Sequence, residues 1–191
     1  MLPWGHAAFG YLLYSLGVRA RGIGPPGDTA VLALAVGTQV ADVDKVLAWT
    51  FDVLPSGRSL AHSVFVAAVL VAVVHRLFLA RDRRTESRAF ALGYASHLVA
   101  DSLGPLLRGE HESLGFLLWP VTPPLPDDNG SILAFFLTLE LTPLLWFGLG
   151  VAGLALVVWT VDGTPGVAAL RGAGSAALRG AAARLPVTGR R

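Results

Sequence analysis

The chain has 191 residues, enough for one domain, and a formal net charge of +2, with arginine supplying all but one of its 15 basic residues. Hydrophobic residues make up 53% of the chain and charged residues 15%, against about 25% in soluble domains, and the mean hydropathy is +0.59. This composition excludes an ordinary soluble globule and indicates an integral membrane protein, and the lack of cysteine excludes disulfides and thiolate metal sites.

Two helices are predicted in the first fifty residues. Residues 6–18, "HAAFGYLLYSLGV", are short for a complete crossing, so we expect a helix that is partly buried in a bundle or only just spans. Residues 28–50 have helical character but are interrupted by acids, among them Asp42 and Asp44. The N-terminus lacks the basic region of a signal peptide, and we expect it to be retained.

Three longer apolar segments follow. Residues 59–80 form the clearest span, at about the 20 residues that a bilayer core requires, and a second span covers residues 89–107. A third segment, 131–160, is long enough to cross with tilt, and Pro143 predicts a kink within it. The predicted fold is therefore all-α, an integral membrane bundle of about five helices in contact with the lipid bilayer.

The arginines give the predicted orientation. They follow the first, third and last helices, and cytoplasmic loops are enriched in such residues. We therefore expect a multi-pass protein of the cytoplasmic membrane, with its basic loops inside and the 51–58 turn and 108–130 loop outside. Residues 1–162 form the predicted membrane domain, and the Gly/Ala/Arg-rich residues 163–191 a mobile or weakly amphipathic cytoplasmic tail. We expect no nucleic-acid partner, because the basic residues lie beside apolar segments.

This layout brings ionisable residues from separate helices to one level, in the outer half of the bundle. A charged group at the bilayer centre costs about 2.5–3.5 kcal/mol, so such residues usually have a partner or a function. His75 lies at the inner end beside Arg76, and we exclude it. Glu140 either reaches the group or pairs with Arg58. The remaining members are His6, Asp42, Asp44, Arg58, His62, His97 and Asp101.

The composition of this group predicts a metal site. Three imidazoles with two or three carboxylates and no thiol are the ligands of zinc or another divalent metal. In a helix, His97 and Asp101 lie on one face. Asp42 and Asp44 point about 200° apart in an ideal helix, so both reach one site only where the helix starts, ends or breaks. Alternatively, His97 and Asp101 are a buried hydrogen-bonded pair, and the other two acids are helix caps.

The order of these motifs resembles the YdjM-like family of membrane-bound metal-dependent hydrolases, described as LexA-regulated inner-membrane proteins. The resemblance covers residues 1–125 and implies a membrane protein that binds a metal and hydrolyses a substrate. The chain departs from the family pattern at Ala41, where proline is usual, and at Gly57, where a further histidine is usual. The matching motifs are His6, Asp42-x-Asp44, Arg58-x-x-x-His62-Ser63, His97-x-x-x-Asp101 and the Trp/Pro-rich turn at 119–123.

The expected function is metal-dependent hydrolysis of an ester or phosphoester, in a small molecule or a lipid. A divalent ion, with zinc as the first candidate, would lower the pKa of a bound water to about 7. Asp44 is expected to be a further ligand or a general base, and Arg58 to hold an anionic oxygen. The alternative is a non-catalytic membrane protein with a structural metal site or an ion- or proton-conducting cluster. The expected metal ligands are His6, Asp42, His62, His97 and Asp101.

Overall fold

The computed structural model describes residues 2–125, 131–137, 139–140 and 142–182. Over these residues the chain is helical and contains no strand, so the predicted all-α class is confirmed. In chain order the helices are α1 (Pro3–Ala20), α2 (Asp28–Val40), α3 (Val43–Trp49), α4 (Val64–Leu79), α5 (Arg84–Arg108), a 3-10 helix (His111–Leu118), α6 (Ile132–Leu137), α7 (Pro143–Val161) and α8 (Val167–Ala182).

Helix α5 lies at the centre and packs against α1, α2 and α4. Glycines allow α2 and α5 to approach closely, because a Cβ at Gly37 would overlap the carbonyl oxygen of Phe90. A Cβ at Gly93 would likewise overlap the carbonyl oxygen of Leu34. Gly10 lets α1 approach both helices, although a Cβ there would meet side chains rather than backbone. Small residues at these crossings are typical of helix packing in membranes, where close backbone approach replaces the hydrophobic driving force.

The second predicted helix is divided in two. Helix α2 ends at Val40 and α3 begins at Val43, with a turn at Ala41 and Asp42 between them. Asp42 therefore lies in the turn, and Asp44 lies in the first turn of α3. The break that the two acids require is present, and it frees them from the fixed angular separation of an ideal helix.

Helix α4 begins five residues later than the predicted start at residue 59. The Oγ atom of Ser63 accepts a hydrogen bond from the backbone N–H of Phe65 at 3.2 Å, which caps the helix. Before the cap, the backbone N–H groups of Ser59, Ala61 and His62 all donate to the carboxylate of Asp44. Because these N–H groups bond to a side chain of α3 and not to helical carbonyls, residues 59–63 form a loop before α4.

The last predicted span, residues 131–160, consists of two helices, α6 and α7. Pro143 is the first residue of α7, and the Oγ1 atom of Thr142 accepts a hydrogen bond from the N–H of Leu145 at 3.2 Å. Proline at the first helical position has no N–H to leave unsatisfied, and its fixed φ angle suits a helix start. Pro143 therefore begins a helix, and the predicted kink within a continuous helix was wrong.

The outer surfaces of α4 and α7 are apolar. Within the described residues α7 is the one helix that is both long and apolar enough to cross a membrane, and α4 is apolar but has only 16 residues. Phe65, Val69, Val73 and Leu77, at every fourth position of α4, are all at least half exposed. Such continuous exposed apolar surface is unusual for a soluble protein and suits contact with lipid.

The end of α7 is tied to α1 by a polar cluster around Asp162. The carboxylate accepts hydrogen bonds from the hydroxyls of Tyr11 at 2.5 Å and Ser15 at 2.6 Å, and from the Nε atom of Arg19 at 3.0 Å. We call these four residues the Asp162 cluster. The following helix, α8, packs against α2, while residues 183–191 of the predicted tail lie outside the described part. The cytoplasmic location and mobility of the tail stay predictions.

Candidate metal centre

Six of the residues expected at the site lie together. We call them the His/Asp cluster: His6 from α1, Asp42 from the turn after α2, Asp44 from α3, His62 from the loop before α4, and His97 and Asp101 from α5. Five of them are buried, and Asp42 is mostly so. The close crossings place these residues, because His6, Asp42 and His97 each lie four or five residues from a glycine of the crossings, Gly10, Gly37 or Gly93.

Two imidazoles point their Nε2 atoms at each other, 3.3 Å apart. The Nδ1 atom of His97 lies 2.7 Å from the backbone carbonyl oxygen of Thr38, and the Nδ1 atom of His62 lies 3.0 Å from a carboxylate oxygen of Asp44. Carbonyl and carboxylate oxygens only accept hydrogen bonds, so both Nδ1 atoms carry the proton. In the neutral rings both Nε2 atoms therefore present lone pairs toward the same point.

Asp101 completes a first group of three ligand atoms. Its Oδ2 atom lies 3.4 Å from the Nε2 atom of His62 and 3.8 Å from that of His97. Zinc–nitrogen and zinc–oxygen bonds are about 2.0–2.2 Å long, which places two ligands of a tetrahedral ion about 3.3–3.6 Å apart. Two of the three separations, 3.3 and 3.4 Å, lie in this range, and the third, 3.8 Å, exceeds it by about 0.2 Å.

A second group, formed by His6, Asp42 and His97, lies beside the first and shares His97 with it. The rings of His6 and His97 are stacked, with centroids 3.9 Å apart, and the Nε2 atom of His97 lies 3.7 Å from the Oδ1 atom of Asp42. The buried Oδ2 atom of Asp42 accepts no hydrogen bond from the residues that the structure describes, although Oδ1 pairs with Lys45. A buried acceptor of this kind fits a cation ligand.

Asp44 belongs to neither group. Its carboxylate accepts three backbone N–H groups from the loop before α4 and faces the Nδ1 atom of His62. Carboxylates that receive the second ring N–H of a ligating histidine fix the orientation of that ring. The geometry thus differs from the expected role of Asp44 as ligand or base, because its oxygens are already occupied behind His62.

Arg58 lies on the exposed side of the cluster. Its Nε atom is 3.0 Å from the Oδ2 atom of Asp101, its guanidinium stacks on the ring of Phe116, and 40% of the side chain is exposed. Among the described residues Arg58 forms its ion pair with Asp101 and not with Glu140, the alternative considered above. Glu140 is exposed and outside both ligand groups, and His75 contacts Ser87 at 2.7 Å, away from the cluster.

A cavity of about 470 Å³ adjoins the cluster. Arg58 and Lys45 line it, and each pairs with a cluster carboxylate. Phe116 also lines the cavity and packs edge-on against the ring of His62, with centroids 5.9 Å apart. The volume lies in the range of about 300–1,000 Å³ that is usual for small-molecule sites. The six residues of the His/Asp cluster are not themselves among the described lining residues, so the cavity meets the cluster through Lys45, Arg58 and Phe116.

Comparison with known proteins gives the family of the chain. The model of the YdjM inner membrane protein family matches residues 1–181. The chain belongs to this family. No curated protein and no solved structure matches it. The resemblance inferred from the motifs in residues 1–125 is confirmed, and the YdjM match extends it through α7 and most of α8. Membership of an inner-membrane family also supports the membrane localisation predicted from composition.

Three residues at the site of this YdjM family member are missing from the sequence prediction. Lys45 follows Asp42 by three residues, a spacing that favours an ion pair in a helical turn, so a signal for it existed. Phe116 belongs to a 3-10 helix within a segment expected to be a loop. Thr38 acts through its backbone carbonyl, a group that every residue has, so no side-chain pattern could reveal it.

Proposed function

We propose that this YdjM family member is a membrane-bound hydrolase that binds a divalent metal ion, with zinc as the first candidate, and cleaves an ester or phosphoester. One observation carries the proposal: the ligand atoms of His62, His97 and Asp101 lie 3.3–3.8 Å from one another. The Nδ1 atoms of both histidines are already hydrogen-bonded, so their Nε2 atoms are the ones that remain for a metal. Catalytic zinc sites use three protein ligands of this kind and leave a fourth position open. His6 and Asp42 would complete or extend the set.

The chemistry of the cluster supports a cation at its centre. Arg58 already pairs with Asp101, but the Nε2 lone pairs of His62 and His97 face each other in a buried site and repel unless positive charge compensates them. A proton on His62 would satisfy its contact with Asp101, but it would leave the buried Oδ2 atom of Asp42 without a partner. Divalent ions accept imidazole and carboxylate ligands together, and His97 belongs to both ligand groups.

Asp44 and Arg58, which lie on either side of the proposed ion's ligands, then have distinct roles. When bound, a divalent ion lowers the pKa of water and polarises the bond to be cleaved. Asp44 acts as a positioning residue, because it fixes the ring of His62 and organises the loop before α4. Arg58 holds Asp101 through Nε, and the rest of its planar fork is suited to bind an anionic oxygen of the substrate from the cavity side.

We also propose that the chain crosses the membrane several times, through α1, α2 with α3, α4, α5 and α7, with the His/Asp cluster near the outer face. The apolar surfaces of α4 and α7 support this topology. The chain contains no cysteine, so single-cysteine variants report unambiguously on sidedness. In intact cells, a membrane-impermeant thiol reagent is expected to label Glu112→Cys and not Asp82→Cys; the reverse pattern would invert the proposed orientation.

The rival functions are a structural metal site without turnover and conduction of ions or protons. The cavity beside the cluster favours the hydrolase, because a purely structural ion needs no adjoining space. A conducting pathway predicts current or proton flux through proteoliposomes, whereas the hydrolase predicts none. Release of product from p-nitrophenyl phosphate or bis-p-nitrophenyl phosphate by the metal-loaded chain would separate an enzyme from a scaffold.

Elemental analysis of the purified full chain tests the metal. We expect the wild type to retain divalent metal near stoichiometry and His97→Ala to lose it, since His97 belongs to both ligand groups. His111→Ala is the matched control, because His111 is an exposed histidine of the 3-10 helix. Asp101→Asn, nearly isosteric, repeats the test with less risk to folding. Full metal content in both His97→Ala and Asp101→Asn would refute the site.

A further inference from the structure

The cavity beside the His/Asp cluster joins two different environments. Lys45 and Arg58 contribute two cationic groups to the lining. Leu144, Leu145 and Leu149, from the first two turns of α7, contribute apolar side chains. Trp49 of α3 and Phe135 of α6 also line the cavity and pack against each other, with centroids 5.5 Å apart. The lining thus offers both the cationic and the apolar groups that an anionic amphiphile would require.

The cationic groups of the lining suit an anion. Lys45 and Arg58 already pair with Asp42 and Asp101, but each pairing uses one nitrogen or one edge of a group that has several donors. Glu140 is the one acid among the described lining residues, and it is exposed. Phosphate oxygens accept several charge-assisted hydrogen bonds at once, and a guanidinium fork matches their geometry.

Several apolar residues of the cavity lining belong to α7, the helix that is best suited to contact lipid. Trp146 and Phe147, next to the cavity-lining residues of α7, are 60% and 52% exposed. One side of the first turns of α7 therefore lines the cavity while another faces outward. In a bilayer this arrangement brings the acyl chains around α7 close to the cavity.

We propose that this cavity binds a membrane lipid that carries a phosphate ester, with its acyl part between α3, α6 and α7 and its phosphate at Arg58 and Lys45. The reaction rests on the proposed hydrolase function, whereas lipid binding does not. In the reaction, the oxygen of water forms a bond to phosphorus and the ester P–O bond breaks. One proton of the water passes to the leaving alcohol, so an alcohol and a phosphate are the products.

Gly148 offers a way to fill part of the cavity beside α7 without disturbing the helix. It is buried and lines the cavity, and a Cβ there would meet no heavy atom within 4 Å. Gly148→Leu therefore places a side chain in space that the lipid tail is proposed to use. Gly150→Leu is the matched control, because Gly150 lies on the same helix, has equally open surroundings and does not line the cavity.

The test uses the full chain in nanodiscs of phosphatidylcholine containing phosphatidic acid. Native mass spectrometry measures retained phosphatidic acid, and phosphate release is measured from phosphatidic acid and from p-nitrophenyl phosphate. For Gly148→Leu we expect retained lipid and the ratio of lipid to soluble-ester turnover to fall about tenfold, because the leucine displaces several methylene groups of the tail. Gly150→Leu is expected to match the wild type in both measurements.

The outcomes separate this inference from the proposed function. If the wild type retains no phosphatidic acid, or if Gly148→Leu and Gly150→Leu retain it equally, the lipid cavity is refuted whatever the activity. Hydrolysis of p-nitrophenyl phosphate but not of phosphatidic acid also refutes it and leaves the hydrolase standing. Retained lipid that Gly148→Leu displaces, with turnover of neither ester, supports the cavity and contradicts the proposed function.

Discussion

Helix α1 connects two polar clusters that differ in one physical respect. At its start, His6 belongs to the His/Asp cluster, and at its end Arg19 belongs to the Asp162 cluster, about 20 Å further along the helix. In the Asp162 cluster one carboxylate receives hydrogen bonds from two hydroxyls and a guanidinium, so donors and acceptors match. In the His/Asp cluster Asp101 contacts Arg58 and His6, but the Nε2 lone pairs of His62 and His97 face each other and the buried Oδ2 atom of Asp42 accepts no hydrogen bond from the described residues.

The comparison separates polar residues that stabilise the fold from those that need a further component. A buried carboxylate with enough donors is satisfied within the chain and can tie two helices together. A group of converging acceptors is satisfied only when positive charge is added. Addition or removal of metal should therefore change one cluster and leave the other unaffected.

Removal of divalent ions should have the largest effect. An ion at about a thousand times its dissociation constant stabilises a protein by about 4 kcal/mol, which corresponds to about 8–16 °C for a chain of this size. We expect the unfolding temperature of the full chain in detergent to fall by about this amount on addition of EDTA. Asp162→Asn should show the same fall from its own starting temperature, because effects at distant sites add. An unfolding temperature that EDTA does not change would contradict the claim that the His/Asp cluster needs a bound ion.

Gly93→Ala tests the packing that brings the cluster together. The new Cβ would overlap the carbonyl oxygen of Leu34, and backbone of this kind moves only if α2 shifts. Overpacking costs about 1–3 kcal/mol, and the shift should also weaken metal retention, since His97 lies one turn beyond Gly93. Gly153→Ala is the control, because a Cβ there meets no heavy atom within 4 Å. Thermal unfolding and elemental analysis of both variants check this; equal results would show that the α2–α5 crossing tolerates a larger separation.

Asp44→Asn sharpens the distinction between a ligand and a positioning residue. Loss of such an orienting carboxylate typically weakens metal affinity about 10–100-fold without abolishing it. Competition for zinc with a chromophoric chelator measures the change, and Asp52→Asn, at an exposed acid, provides the control. A loss of metal as complete as that in His97→Ala would make Asp44 a ligand, and an unchanged affinity would leave it no role at the site.

The smallest expected effect is the pH dependence of the Asp162 cluster. Burial alone would raise the pKa of Asp162, but hydrogen bonds from Ser15 and Tyr11, and Arg19 nearby, outweigh burial and lower the pKa below its ordinary value. A carboxyl whose pKa is lowered by folding stabilises the folded protein at pH values above its ordinary pKa of about 4. This stabilisation is lost as the pH falls through the pKa of the folded state. The free energy of unfolding of the wild type should exceed that of Asp162→Asn by about 1 kcal/mol at pH 5–8.

Denaturant unfolding across pH measures this difference. The advantage of the wild type should shrink as the pH falls below about 4, because protonation removes the negative charge that Asp162→Asn also lacks. Metal content at pH 7 should be the same in both proteins. A constant difference down to pH 2, or loss of metal from Asp162→Asn, would mean that the two clusters are not independent.

The sequence could predict positions within one element better than contacts between elements. His97 and Asp101 share a helix, so their common face follows from helical geometry alone. The roles of Asp42 and Asp44 differ because α2 ends at Val40 and because the loop before α4 folds over α3. The path of that loop depends on tertiary structure, and no local pattern in residues 51–62 specifies it.

Some helix boundaries likewise have a local sequence signal, whereas others depend on distant contacts. The start of α7 has a local signal, since Thr142 followed by Pro143 forms a cap and a first helical position, and it was available in the sequence. The start of α4 depends on donors held by Asp44, which lies 15 residues or more away in sequence. The close crossing of α2 and α5 pairs Gly37 with Phe90 and Gly93 with Leu34, and single-sequence periodicity does not reveal such pairs.

Anomalous X-ray scattering at the zinc absorption edge, on crystals of the zinc-loaded full chain, locates the ion itself. We expect an anomalous peak about 2.0–2.2 Å from the Nε2 atoms of His62 and His97 and from a carboxylate oxygen of Asp101. We expect no peak at the Asp162 cluster. A His/Asp cluster without anomalous density, or zinc bound instead at His75 or His111, would contradict the proposed metal centre.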